Sequence, residues 1–349
     1  MKVAIIGAGA IARVHARALK EVRGVELAAV CDLSPGLARC FAEQFEIARW
    51  YTSHLELLKE TEPECVFITT PVSSHATLAK DALQAGAHVL VEKPITSNME
   101  EWHSLRELSE SVGRMLVEDQ NYRFNGPVVR LRELLQTGAF GEVVHLDMLY
   151  CLPIHGKGSP FADTSLPNPM LKMAGGAILD FLPHMTYIAN EFLGRHVSVQ
   201  TLWMKRDKST ILPHDEFRAL IECERGTASI AFSSHAQPPG CWLRVAGTKM
   251  FGRANLFEGT FSLDKVGRKA GPITYLKNGV RESFSAGWGA CRSLCRKLAD
   301  RPMGYDGLRE FDRRFCNAAM RGEAAPVTLE QVDASHQLIH ELTRGPFPE

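Results

Sequence analysis

No apolar run in this chain approaches the roughly 20 residues that a bilayer-spanning helix needs. The N-terminus carries a single lysine ahead of a very short apolar stretch and lacks the shape of a secretory signal, so a cytoplasmic location is expected. An excess of charge of either sign is missing too. The 40 basic and 40 acidic residues give a formal net charge of zero, and no charged block stands out, so neither nucleic acid nor an anionic membrane is an expected partner. The nine cysteines are scattered and none shows C-x-x-C spacing, so no zinc or dithiol site is predicted and no metal is expected. Most should be reduced and buried, with Cys291 and Cys295, one helical turn apart, on a packed helix face. Repeats and low-complexity tracts are also lacking. What remains is 45% hydrophobic and 23% charged residues, ordinary for a globular protein, over a 349-residue length that exceeds one usual core and predicts two domains.

Val3-Ala4-Ile5-Ile6 suits a buried parallel strand, and Gly7-Ala8-Gly9-Ala10-Ile11-Ala12 follows it as G-x-G-x-x-A. In such a turn the first glycine permits the reversal into a helix, the second admits pyrophosphate to the backbone, and a small third residue allows close packing. The helix start then offers free amides, around Gly9, Ala10 and Ile11, to phosphate. A second apolar strand, Val25 to Cys31, ends at Asp32, near the spacing at which a carboxylate meets the adenosine ribose. A carboxylate there accepts from a 2′-hydroxyl and repels a 2′-phosphate, so NAD is favoured over NADP, with Arg39 close enough to relax the preference. The alternative is that Asp32 only caps the helix after Ser34-Pro35.

Strand-like and helical stretches alternate to about residue 120, the pattern of a parallel sheet covered on both faces. Cys65 to Pro71 is a strand, a helix from His75 stops at Gly86, and His88 to Val91 leads into Glu92-Lys93-Pro94. A helix over about 98–112 ends near Gly113, and Met115-Leu116-Val117 begins a sixth strand toward Asn121. Ligands in such sheets bind beyond the carboxyl ends of the strands, where Thr70, Pro71, Glu92, Lys93 and Asn121 fall. Beyond Gly138, Val143 to Leu152 reads as a strand, and Phe217 to Cys223 with Ala228 to Ser234 as a hairpin, so the second sheet is predicted to be mainly antiparallel. The Pro153 to Pro169 segment is too long for an ordinary connection. The predicted domains are 1–120, a dinucleotide-binding unit, and 121–349, a substrate-binding and oligomerisation unit whose C-terminal helix packs back on the first.

Asp180 and His184 are four apart in Gly175 to His184, so on a helix they share a face and the carboxylate can orient the imidazole. Pro183 complicates this, since it kinks a helix outside the first turn; a capping aspartate beside a packed histidine is the alternative. Trp203, Trp242 and Trp288 read as core residues before they read as a sugar-stacking wall.

Taken together, the fingerprint, Glu92-Lys93-Pro94, Asn121-Tyr122-Arg123-Phe124, Leu134 to Val143 and Gly175 to His184 resemble the Gfo/Idh/MocA oxidoreductases in order and spacing over almost the whole chain. The resemblance implies an α/β protein: an N-terminal Rossmann domain and a C-terminal α/β domain on a predominantly antiparallel open sheet that supports homodimers or homotetramers. It implies oxidation or reduction of a secondary carbinol of a sugar, cyclitol, sugar acid or nucleotide sugar. Lys93, Asp180 and His184 match the family's catalytic positions, with His184 as the base, Lys93 polarising the same oxygen and Asp180 orienting His184 or binding a neighbouring hydroxyl. His75 matches a histidine near the nicotinamide side, with a helix-start cap as the alternative. Arg123, His155 and Lys172, with Lys93, Asp180 and His184, are the candidate substrate ligands; solvated loop cations and a structural Arg123 are the competing readings. Pro183 departs from the family's small residue before the histidine, and Val72 from its asparagine after proline. Two other functions stay open: a non-catalytic dinucleotide sensor, and a reductase of a non-sugar carbonyl or a dihydrodiol.

Overall fold

A computed structural model describes residues 1–154, 175–208, 212–265, 271–298 and 305–344. The chain divides into two compact units, one of residues 1–121 and 307–333, the other of residues 122–306 and 334 onward.

The first unit is built on six parallel strands: β1 (Lys2–Ile6), β2 (Glu26–Cys31), β3 (Arg49–Tyr51), β4 (Cys65–Ile68), β5 (His88–Val91) and β6 (Leu116–Glu118). Their order is β3-β2-β1-β4-β5-β6. This is the doubly wound dinucleotide-binding order, in which the chain reverses direction across the sheet between β1 and β4. The connecting helices are α1 (Ala10–Lys20), α2 (Pro35–Phe45), α3 (His54–Thr61), α4 (His75–Gln84) and α5 (Met99–Val112); α9 (Asp306–Arg321) belongs to the same unit from Gly307 onward. Local chemistry sets the ends of these helices. Ser34 accepts from the Leu37 amide with Pro35 as the first helical residue of α2. Asn98 accepts from the Glu101 amide at 2.9 Å while Glu101 accepts from the Ser97 amide at 3.0 Å, and Gly113 closes α5 in the left-handed conformation. The short β3 and α3 were not among the elements named from the sequence.

The second unit carries seven strands: β7 (Val143–Cys151), β8 (His196–Met204), β9 (Glu216–Cys223), β10 (Gly226–Ser233), β11 (Gly240–Gly247), β12 (Met250–Asn255) and β13 (Thr260–Lys265), in the order β13-β12-β11-β7-β10-β9-β8. Only β7 and β10 run parallel; every other pairing is antiparallel, as the sequence predicts. The hairpin from β9 to β10 turns at Glu224-Arg225, and Gly226 sits at φ +143° where a Cβ would meet the Val144 carbonyl oxygen at 2.5 Å. Helix α6 (Gly126–Gln136) and helix α7 (Ala177–Leu193) pack apolar residues into a core with Leu146, Met148, Phe217, Ile230 and Phe232. Pro183 lies inside α7, beyond its first turn, so the Leu179 carbonyl has no amide four residues on to accept from; the helix nonetheless continues as one element to Leu193.

Two expectations are corrected. Trp288 is not a core residue: it lies on α8 (Pro272–Leu298) with 65% of its surface exposed, beside exposed Val280 and Phe284. Cys291 and Cys295 do share that helix but are exposed rather than packed, because α8 is amphipathic and its apolar side is not fully covered by the described residues. Trp203 conforms to the core reading: partly buried against the core, its ring lies tilted on Phe217 with centroids 4.5 Å apart. Among the described residues, no helix is long and apolar enough to cross a membrane.

The β1–β4 contact makes the first glycine of the fingerprint obligatory. Gly7 has φ +102°, and a Cβ there would stand 2.8 Å from the Thr69 carbonyl oxygen. Gly7→Ala is therefore expected to cost about 1–3 kcal/mol, read as a lowered denaturation midpoint. An unchanged midpoint would mean that the two strand ends do not approach this closely.

Candidate functional site

At the start of α1, Gly9 is the N-cap in extended conformation, no side chain caps the helix, and no acidic residue lies in its first turn. A Cβ on Gly9 would meet nothing within 4 Å. Open space in front of uncapped amides is what a pyrophosphate requires, and Ala10 and Ile11 begin that helix. Asp32 sits beside this turn: Oδ2 accepts from the Ala8 amide at 2.8 Å and Oδ1 from the Ser34 amide at 2.8 Å. A carboxylate has further acceptor sites, so both bonds fix its direction while leaving capacity for a hydroxyl. The helix cap itself is Ser34, not Asp32. Arg39 is exposed and faces Glu43 at 3.8 Å.

Thr70 and Pro71 follow β4, and the Thr70 hydroxyl accepts from Ser74 at 2.8 Å. Glu92, Lys93 and Pro94 follow β5, with Lys93 half-buried. Asn121 follows β6 and donates from Nδ2 to Asp119 at 3.4 Å. These ends belong to one parallel sheet and lie at its carboxyl edge.

Two expected cofactor ligands are engaged elsewhere. His75 is buried, with Nδ1 2.9 Å from the Pro94 carbonyl oxygen and Nε2 2.7 Å from that of Thr70. It braces the β4 and β5 ends against each other and leaves no ring nitrogen for a ligand. Burial holds its pKa below the ordinary value, although hydrogen bonds to the two carbonyls oppose this; a neutral ring donates to only one of them. Glu92 is buried, and its Oε1 lies 3.3 Å from His15 Nε2 while Oε2 accepts from the Lys93 amide at 3.1 Å. His15, a residue the sequence reading passed over, is fully buried on α1, and its Nδ1 lies 3.0 and 2.9 Å from the two oxygens of Asp312 on α9. Asp119 Oδ2 is 3.9 Å from His15 Nε2. Burial alone would lower the His15 pKa, but Asp312, with Glu92 and Asp119, overcomes it and holds the imidazolium well above its usual range. Burial, then the negative Glu92, push Asp119 well up toward its neutral form. His15, Glu92 and Asp119 bring ligand atoms within 4.8 Å of one another, but both His15 nitrogens are turned to carboxylates, so hydrogen rather than a metal ion fits between them.

In the second unit, Asp180 and His184 stand one turn apart on α7. His184 is buried; its Nδ1 is 2.7 Å from the Tyr187 hydroxyl, which also accepts from the Tyr122 amide at 3.1 Å. The imidazole stacks on the Tyr122 ring at 4.3 Å and 13°, and the Tyr122 and Tyr150 hydroxyls are 3.2 Å apart. Burial, with Tyr122 beside it, pushes the Tyr150 phenol well above its usual pKa, so it stays neutral. Arg123, expected as a substrate ligand, is only 2% exposed; its guanidinium pairs with Glu191 and lies 5.7 Å from the Tyr187 ring centre. It is a structural cation, because a buried charge is tolerable only when paired. His155 and Lys172 lie outside the described residues.

Two family models match the chain. A model described as "Oxidoreductase family, NAD-binding Rossmann fold" matches residues 1–120, and one for the "GFO/IDH/MocA C-terminal domain" matches residues 128–251. A Comamonas testosteroni protein named 1-carboxy-3-chloro-3,4-dihydroxycyclo hexa-1,5-diene dehydrogenase is 28% identical over 83% of this chain and 72% of its own. The scyllo-inositol 2-dehydrogenase (NAD(+)) of Bacillus subtilis is 26% identical over 74% of each. An Agrobacterium radiobacter oxidoreductase solved with NAD+, L-tartaric acid and magnesium superposes with a TM-score of 0.78 over 99% of this chain and 97% of that one; at 17% identity it speaks for the fold alone.

The His15 cluster makes a signed pH prediction. A folded-state pKa above the unfolded value of about 6.5 contributes stability that is complete below that pH and is lost as pH rises through the folded value. Unfolding free energy of the native sequence should therefore decline on the alkaline side. Asp312→Asn, which removes the anion that holds the proton, should flatten that decline in urea titrations across neutral to alkaline pH. A wild-type and variant difference that grows with rising pH would contradict the imidazolium.

Proposed function

Because the chain belongs to the GFO/IDH/MocA oxidoreductase family, we propose that it is an NAD-dependent oxidoreductase acting between a secondary carbinol and the corresponding ketone of a sugar, cyclitol, sugar acid or nucleotide sugar. The observation that carries the cofactor side is Asp32: its carboxylate is fixed 2.8 Å from the Ala8 amide, beside a helix start with no cap of its own. That arrangement suits a ribose diol next to a pyrophosphate and is unfavourable to a 2′-phosphate. When bound, nicotinamide supplies a two-electron hydride acceptor or donor.

The chain's residues do the rest of the chemistry. Amides at Gly9, Ala10 and Ile11 would hold the pyrophosphate, and Thr70, Pro71 and Asn121, at the strand ends, would line the rest of the cofactor site. The Lys93 ammonium donates to the reacting oxygen and stabilises the charge it gains as its proton leaves. His184 takes that proton in the oxidative direction and returns it in the reductive one. For His184 to accept it at Nε2, Nδ1 must carry the hydrogen and donate to the Tyr187 oxygen, a geometry that the 2.7 Å separation allows. Asp180, one turn from His184, binds a neighbouring substrate hydroxyl or assists the imidazole.

A second substrate reading has a specific support: the Comamonas relative carries the name of a cyclic dihydroxydiene dehydrogenase and matches over most of both chains. A carboxylated cyclic dihydrodiol belongs beside the sugars and inositols among the substrates to be tried. The outward face of the second unit's sheet exposes Leu149, Leu202, Met204 and Leu220, an apolar set that suits pairing with a second copy in a homodimer or homotetramer.

Following reduced nicotinamide by absorbance with NAD and with NADP over sugars, inositols, sugar acids, nucleotide sugars and cyclic dihydrodiols should reveal turnover with NAD preferred. Lys93→Met and His184→Ala are each expected to lower kcat by about 10²-fold or more while leaving the Kd for NAD near wild type. Turnover that survives both substitutions would remove these two residues from the reaction, and NAD binding without turnover on any substrate would favour a sensor. Light scattering tests the assembly. Leu220→Arg should shift the mass toward the monomer, and a wild-type protein that is already monomeric refutes the sheet interface.

A further inference from the structure

Four titratable side chains of the first unit converge without a part in the chemistry above: His15 on α1, Glu92 after β5, Asp119 after β6 and Asp312 on α9. Three of them are at most 1% exposed and Glu92 is 8% exposed. Both ring nitrogens of His15 face carboxylate oxygens, and an ionised carboxylate can only accept, so each nitrogen must carry hydrogen. Nδ1 lies at near-equal distances, 3.0 and 2.9 Å, from the two Asp312 oxygens, a geometry that suits an N–H shared across a carboxylate. The remaining walls of the ring are apolar, with Phe67 edge-on at 5.5 Å and Phe315 packed beyond it. Asp119 is the fourth charge candidate, and its Oδ1 has no partner. With Asn121 donating only to its other oxygen, this buried carboxyl is tolerable as the neutral acid, which leaves Glu92 and Asp312 as the two anions on either side of one cation.

Glu92 is the immediate neighbour of Lys93, and its oxygens are committed: Oε1 to the His15 ring and Oε2 to the Lys93 amide. A bare carboxylate at that position would act as a counter-ion for the ammonium, raising its proton affinity and drawing its side chain back toward the strand end. We propose that His15 is a positioning residue for Lys93: by holding the Glu92 carboxylate from within the fold and compensating its charge there, it weakens Glu92 as the counter-ion of the Lys93 ammonium. The lysine is then more available to donate to a reacting oxygen and to exchange its proton. This deepens the reading of Lys93 given above and rests on it for its catalytic consequence, while the electrostatic coupling itself does not depend on turnover.

The test is an NMR titration of the full chain after reductive ¹³C-methylation of its lysines, with the Lys93 signal assigned by its loss in Lys93→Arg. His15→Gln should raise the Lys93 titration midpoint by about one pH unit, because it removes a nearby cation and exposes an anion. Asp312→Asn keeps the ring but withdraws the anion that keeps it charged, and should move the midpoint the same way. Glu92→Gln should move it down. Midpoints unmoved in folded His15→Gln and Asp312→Asn would overturn the proposal; if neither variant folds, an unmoved midpoint in Glu92→Gln does so. A shift in these directions, in a protein for which the substrate panel finds no turnover, would uphold the coupling and count against the oxidoreductase reading alone. With a substrate in hand, the pH limb of kcat/KM should follow the NMR midpoint while the Kd for NAD stays constant, a pattern that mere loosening of the fold would not produce.

Discussion

The first unit depends on one buried imidazolium. His15 and Asp312 stand 297 residues apart in sequence, and the bond between them joins α1, the helix that begins at the fingerprint, to α9, which enters the unit from the far end of the chain. The same ring reaches Glu92 at the end of β5. A charge in this position is expensive to desolvate, and pairing only roughly compensates that cost; taking away one partner of such a pair typically costs about 3–5 kcal/mol. The cluster is therefore poor evidence for net stability and good evidence for uniqueness. Its contacts tie α1, α9 and the end of β5 together, so the start of α1 and the Lys93 turn are held in one register.

That register is reinforced by polar groups that would otherwise be liabilities at the sheet edge. His75 ties the carbonyl after β4 to the carbonyl of Pro94, and Glu118 at the end of β6 accepts from the Ile95 amide at 3.0 Å while taking a hydrogen bond from Gln120 at 2.8 Å. Parallel strands end in loops whose amides and carbonyls have no ladder partners, and here the side chains following β4, β5 and β6 supply them. Lys93 emerges among these buried hydrogen bonds. Fixed placement of a donor is what electrostatic stabilisation of a developing charge requires.

Much of this was legible along the chain. The strand-turn-helix at Gly7 to Ala12, the Asp32 spacing, the Asn98 and Ser34 helix starts and the Glu224-Arg225 hairpin are local signals, set by backbone chemistry within a few residues. What escaped notice depends on contacts between distant segments. His15 shares the buried side of α1 with Ala12, Ala16 and Leu19, so its spacing marked it as internal, but nothing near it named Asp312 as its partner. Arg123 looked available because a short sequence window cannot show Glu191 closing on it from α7. Trp288, Cys291 and Cys295 failed in the opposite sense. Helical spacing identified a shared face but not whether anything covers it.

The setting of His184 shows what several aromatic rings do around one buried histidine. A histidine in an aliphatic pocket would be held neutral by desolvation and would gain nothing to fix its ring; one exposed to water would titrate freely and rotate. Here Tyr122 stacks on the imidazole, Tyr187 meets Nδ1, and the Tyr122 backbone amide in turn fixes the Tyr187 oxygen. The rings supply a low-polarity wall while the Tyr187 hydroxyl supplies a directional contact to Nδ1. Pro183 makes these contacts matter more: lacking an amide one residue before His184, it leaves the Leu179 carbonyl without its helical donor, so the backbone ladder is weakened at the turn that carries the imidazole.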